Sequence, residues 1–182
     1  MEEADRHKNK FSHNDGDHLT LLNVFNAWKT NNGCADWCWN NYINSRALKQ
    51  ANDIREQLMK ILIKQGLVIR STPHTDPLFW TNIKKCIVSG FFMQVCLLQR
   101  AGHYLTLKDD QTVMLHPSTV IDNKPEWVLY HEFVLTSRNY VRTCLEIYPD
   151  WLFEVSPEYF DLQEGFRGES KRKLERVLER IK

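Results

Sequence analysis

Residues 126–143 (EWVLYHEFVLTSRNYVRT) alternate apolar and polar side chains with a period of two, the spacing of a strand that turns one face inward. Trp127, Leu129, Phe133 and Leu135 fall on one phase; 136–139 interrupt it, and Tyr140, Val141 and Thr143 resume with aromatic and β-branched residues. The pattern predicts a β-hairpin with Trp127 and Phe133 in its packing. A lone hairpin is marginal in water, so a larger sheet is predicted around it.

Upstream the period is helical. After a polar lead-in over 1–14, Leu19, Leu22, Phe25 and Trp28 predict a helix from about His18 to Lys29. Asp17 is its expected N-cap, and Asn31-Asn32-Gly33 its stop. A second helix is expected over 36–44. A third starts near Ser45 and ends at Gly66, with Leu48, Ala51, Ile54, Leu58, Ile61 and Leu62 as its apolar stripe. Its polar face carries Arg46, Asn52 and Arg55 and reads, from the residues alone, as solvated surface. Residues 67–77 form a linker with Pro73 and Pro77. A fourth helix is expected over about 76–89, with Pro77 in its first turn and Phe79, Ile83, Cys86 and Ile87 buried.

Past Gly90 the period shifts towards two. Residues 93–99 fit a strand or the end of the fourth helix, and 103–108 and 112–116 are short alternating runs bounded by turn residues. With the hairpin this makes about five short strands, and the longer connection before the hairpin favours an OB-type barrel over a sandwich. A short helix opens at Pro149. A last helix follows from about Glu169, with Leu174, Val177, Leu178 and Ile181 as its narrow apolar stripe. The expected fold class is α+β: an N-terminal helical bundle over 15–91, a five-stranded OB-type β-barrel over 92–160, and a C-terminal loop and helix over 161–182.

Charge adds little until it is divided. The 182 residues have a net charge of +1. Residues 1–91 carry twelve basic and nine acidic side chains, 92–160 five and nine, and 161–182 seven and five. No segment is basic enough to hold phosphates by charge alone. The five cysteines, at 34, 38, 86, 96 and 144, form no CxxC pair and read as reduced thiols. Only scattered histidines accompany them, so no metal site is expected. No apolar run approaches the length of a membrane span and the first residues lack a signal core, which points to a soluble intracellular chain.

The parts of a nucleotide hydrolase are missing. None of the seven glycines is followed by lysine, which excludes a GxxxxGK[ST] phosphate loop, and GxSxG, HExxH and DxDxDG are absent. No catalytic residue is assigned. His103, Tyr104, His116, Ser118 and Tyr140 are of types that stack on bases or bind phosphates, although singly such residues are more often structural.

Several motifs occur in one order: Asp15-Gly16-Asp17-His18-Leu19-Thr20-Leu21-Leu22-Asn23, Trp37-Cys38, Asn44-x-Arg46-x-Leu48, Ile54-Arg55-x-Gln57-Leu58, Ser89-Gly90-Phe91-Phe92, His116-Pro117-Ser118 and Glu126-Trp127-Val128 through Leu135-Thr136. Over residues 10–160 the chain resembles the helicase-associated C-terminal region of DEAH-box RNA helicases. Phe92-Met93-Gln94-Val95, His103-Tyr104-Leu105-Thr106 and Asn139-Tyr140-Val141-Arg142-Thr143 are most similar to the G-patch-stimulated member that acts in spliceosome disassembly and ribosome biogenesis.

That resemblance implies a helical ratchet-like domain followed by an OB-fold, with two RecA-like domains and a winged-helix domain upstream of Met1. ATP and Mg would belong to that absent core, with no cofactor in this chain, and the location would be the nucleoplasm and nucleolus. It implies that single-stranded RNA is shared with the RecA-like domains during 3′→5′ translocation. Arg46, Asn52 and Arg55 then become RNA-facing in the helical part, and Tyr104, Thr106, His116, Ser118, Arg138 and Asn139 in the barrel. A second expectation follows from the acidic balance of 92–160. In it the barrel surface and last helix dock core domains or regulators such as G-patch proteins.

Overall fold

The structure, a computed structural model, describes residues 6–7, 9–162 and 165–181. It divides into two compact units: 1–13 with 19–76, and 14–18 with 77–182. The fourth helix therefore groups with the barrel, and so does the five-residue segment 14–18, a turn and an isolated bridge that lead into the first helix. The division lies at Asp76/Pro77, earlier than the expected 91/92, because that helix packs on the barrel and its following helix.

The first unit contains most of α1 (Asp17–Thr30), then α2 (Ala35–Asn40) and α3 (Ser45–Lys64). Leu19, Trp28 and Cys38 are buried. The lead-in is more than a polar overhang at its described end: Phe11 meets the Trp37 ring edge-on at 5.8 Å, and its carbonyl accepts from Asn23 Nδ2 at 3.0 Å. The second helix is shorter than expected. It stops at Asn41, and Tyr42 takes a left-handed φ of 57°. Asn44 caps α3 by accepting from the Ala47 N–H at 3.1 Å.

The far end of α3 closes in a Schellman turn, with Gly66 at φ 74°, its N–H bonded to Ile63 O and the Leu67 N–H to Leu62 O. Along α3 no residue is fully buried. Leu48, Asn52 and Met59 are half-buried, whereas Ala51, Ile54, Leu58, Ile61 and Leu62 are exposed. The periodic stripe thus faces outward, and Asn52 lies on the packed side, held between Lys29 Nζ (3.1 Å) and Glu56 (2.8 Å).

The second unit is a closed barrel of strand order β1-β2-β3-β5-β4. Its strands are β1 (Val95–Leu98), β2 (Tyr104–Thr106), β3 (Thr112–Leu115), β4 (Trp127–Leu135) and β5 (Asn139–Glu146). All pairings are antiparallel except β3 with β5, which is parallel and places Met114 opposite Tyr140. This is the expected five-stranded OB-type barrel, and the class is α+β.

Cys96, Tyr104, Val113, Ile121, Val128, Tyr130, Val141 and Cys144 fill it. Val141 and Cys144 are three apart, so strict alternation would turn one of them out. Thr143 between them takes a φ of 55°, unusual for a β-branched residue, and resets the phase. The hairpin turns at 136–138 as expected, but its two halves differ. Residues 127–130 of β4 are all buried, while Phe133 and Leu135 are exposed. Phe133 is thus outside the packing that the alternation assigned it to.

Three helices flank the barrel: α4 (Phe79–Phe91), α5 (Asp150–Val155) and α6 (Gly168–Ile181). The α4 helix starts after Pro77 and runs through Gly90. It buries Lys84 and Val88 and leaves Cys86 exposed, so its inner face is rotated from the expected stripe. A buried lysine requires a partner. Lys84 Nζ pairs with Asp15 at 2.6 Å and lies over the rings of Tyr148 and Trp151 at 5.5 and 5.4 Å. Trp151 and Leu152 anchor α5, and Leu174 and Val177 anchor α6. Lys173 bonds Glu126 and Arg180 bonds Asp150, rather than partners on their own helix.

Candidate nucleic-acid interface

The segment 14–18 sets one side of the barrel. Gly16 bridges to Leu145 with a φ of 139°, and a Cβ there would lie 2.3 Å from the Cys144 carbonyl oxygen. Asp17, the first residue of α1, reaches far along the chain. Its carboxylate accepts from Cys144 N–H (2.7 Å), Val120 N–H (2.9 Å) and Thr119 Oγ1 (2.8 Å), fixing the loop that follows β3. His18 comes next, against Phe91, with its Nδ1 buried and unpartnered among the described residues. Burial holds its pKa below the ordinary histidine range, His131 adds to the lowering, and Asp17 opposes it.

The loop fixed by Asp17 carries two of the sequence-predicted positions, His116 and Ser118. His116 follows β3, its N–H donating to Val141 O at 2.9 Å. The Ser118 N–H donates to His116 Nδ1 at 3.1 Å, and Ser118 Oγ lies 2.7 Å from the same nitrogen. The imidazole is therefore assigned the tautomer that carries its proton on Nε2, leaving that N–H as a donor. Its ring meets Tyr140 edge-on at 5.5 Å. Because Met114 and His116 are two apart in chain and Met114 opposes Tyr140, all three share a face.

The hairpin turn adjoins this face. Thr136 Oγ1 accepts from the Arg138 N–H at 3.3 Å and donates to the Arg138 carbonyl at 2.7 Å, and Asn139 Nδ2 reaches Thr112 O at 3.4 Å. The Arg138 side chain is exposed and in no ion pair among the described residues. Arg142, by contrast, is held by Glu132 across the hairpin, its Nε donating at 2.9 Å. The result is an aromatic pair, a ring N–H donor and one uncommitted guanidinium. Those groups can stack a base and receive a phosphate without reading sequence.

Four of the six expected barrel contacts lie outside the barrel core: His116 and Ser118 on the loop after β3, and Arg138 and Asn139 at the hairpin turn into β5. Two do not. Tyr104 is 2% exposed, part of the barrel core, with its hydroxyl donating to Pro125 O at 2.9 Å. Burial pushes its phenol pKa up, so it is a neutral packing residue. Thr106 is also buried, its hydroxyl accepting from Gln111 N–H to close the 106–111 turn. Neither is open to a ligand. Their phase in a three-residue strand is set by the barrel, which alternation over so few residues does not reveal.

In the first unit, Arg46 and Arg55 are exposed but nine residues apart on α3. At ~3.6 residues per turn they point to opposite sides of the helix. Asn52 is committed to Lys29 and Glu56. The three do not form one RNA-facing row.

Tyr140 and Met114 were the underweighted members of the barrel face. Their signal was there, two residues from Arg142 and His116, but it needs the parallel β3–β5 register to be read. Among the described residues no cluster of three His, Cys, Asp or Glu side chains is placed to hold a metal ion, and no helix is long and apolar enough to cross a membrane.

This geometry agrees with the comparison to known families: residues 83–159, spanning the barrel with part of α4 and all of α5, match the family model of the oligonucleotide/oligosaccharide-binding (OB)-fold.

Proposed function

We propose that this chain is the C-terminal accessory region of an ATP-dependent DEAH-box RNA helicase, forming part of the single-stranded RNA channel used in 3′→5′ translocation. The observation that carries the reading is the half-buried His116–Tyr140 pair, with the exposed Arg138 two residues before Tyr140 in the hairpin turn, on an OB barrel. OB-folds bind single strands through the strand 2–3 face and the loop between strands 4 and 5, and this patch uses the end of β3 and that loop. The matched OB family is associated with helicase C-terminal regions, which supports an accessory rather than a catalytic role. Sequence-tolerant contacts suit a translocating motor, since each step presents new bases to the same residues.

In the same reading ATP and Mg sit in RecA-like domains of the parent protein, and the winged-helix domain and G-patch proteins are its protein partners. Spliceosome disassembly and ribosome biogenesis, in the nucleoplasm and nucleolus, are the processes it serves. The sequence motifs quoted above support these finer assignments.

The test is fluorescence anisotropy of this chain with a labelled single-stranded oligoribonucleotide across a salt series. Stacking is worth about 1–3 kcal/mol per base. Tyr140→Ala is therefore expected to weaken binding roughly five- to hundredfold. Arg138→Ala is expected to lower the salt slope by about one. Unchanged affinity and slope in both variants would rule out the barrel patch as the RNA contact.

A further inference from the structure

The apolar stripe of α3 is a feature that the RNA reading leaves unused. Leu58 and Ile61 are each 55% exposed, with Ile54 and Leu62 on the same face. The Schellman turn at Gly66 returns Leu67 beside Leu62 and extends the face past the end of the helix. A row at i, i+4, i+7 and i+8 is the spacing by which one helix receives another. Single exposed leucines need no explanation, but a contiguous row of this length does.

The charge on the helix selects the occupant. It carries five basic residues and two acidic ones, and Arg55 and Lys64 border the stripe. A second copy of the same helix would set like charge against like and is disfavoured. We propose that this face docks an amphipathic helix of a partner protein, with aliphatic residues at helical spacing and a rim of Asp and Glu. The aliphatic seam supplies the burial, and the acidic rim fixes register against Arg55 and Lys64.

The site is independent of the barrel patch and fails or stands separately from it. Its probe is a helical peptide of about 20 residues with a leucine stripe and a glutamate rim, titrated against the chain by calorimetry. An otherwise identical peptide with a lysine rim is the control. The acidic-rim peptide is expected to bind at least tenfold more tightly than the control. Leu58→Glu should abolish the binding, and Lys64→Glu should weaken it several-fold. Both positions are exposed, so neither change buries a charge, and far-UV circular dichroism checks that α3 persists. Absent binding, or equal binding of the two peptides, overturns the proposal. So does a dimer of the chain in light scattering that Leu58→Glu dissolves, which assigns the face to a second copy.

Discussion

The carboxylate of Asp17 accepts the backbone N–H of Cys144 at 2.7 Å, joining positions 127 residues apart. The same group also receives the Val120 N–H and the Thr119 hydroxyl. One side chain therefore satisfies β5 and the loop after β3, the loop that begins with His116. Hydrogen bonds to a charged group contribute about 1.5–3 kcal/mol each, and stranding a buried amide costs more than the mean bond. Asp17→Ala is expected to destabilise the chain by about 2–4 kcal/mol in urea titration. Asp17→Asn, which keeps one acceptor oxygen, should cost less.

Lys84 and Asp15 form the other tie between 14–18 and the barrel unit. The Lys84 side chain is 7% exposed and that of Asp15 30%. Breaking a fully buried pair costs about 3–5 kcal/mol, and the partial exposure of Asp15 puts Lys84→Ala near the lower end, about 3 kcal/mol. In a double-mutant cycle, Lys84→Met with Asp15→Asn should cost less than the sum of the two single changes. Additive costs would show that the pair is not coupled.

His18 gives the stability a pH dependence whose sign follows from its environment. Burial is the largest cause of its lowered pKa. The folded state then binds a proton less readily than the unfolded chain, so its contribution is full above the ordinary histidine pKa of about 6.5 and is lost as pH falls below it. Chemical denaturation between pH 7.5 and 5.5 should show stability declining towards acid. His18→Leu should flatten that decline, and an identical slope in the variant would exclude His18 as its source.

The thiols should divide two against three. Cys34 and Cys86 are exposed, whereas Cys38, Cys96 and Cys144 are buried. Burial pushes the Cys144 thiol up to about 12, and Cys96 is raised as well. Thiolate is the reactive form, so a thiol reagent at pH 8 should modify two cysteines quickly in the native chain and the remaining three only on unfolding. Fast reaction of a third would show that the barrel opens on the assay timescale.

The order of elements was legible in the sequence because period and punctuation are local properties. The 3.6-residue period of the helices, the Gly66 stop and the turn at 136–138 each depend on a few neighbouring residues, and each is found along the chain where it was expected. Five strands with a long third connection were enough to choose a barrel. What lies inside it was a different matter. Alternation assigned Phe133 to the packing, and the resemblance made Tyr104 and Thr106 RNA-facing; closure of the barrel leaves Phe133 outside and buries the other two. Thr143 shifts the phase of β5 by a backbone angle that no side-chain pattern reports.

The same limit holds for the helices. Periodicity identified the apolar stripe of α3 but not which way it faces, and only packing turned Asn52 inward and Leu58 outward. Asp17 looked like a helix cap because capping is the local use of an aspartate at that point. Its carboxylate also has three partners more than a hundred residues away, and long-range register decides them. His116, Tyr140 and Arg138 were likewise visible as residue types. The parallel pairing of β3 with β5 joined the first two, since it brings Met114 opposite Tyr140 and sets His116 against that ring.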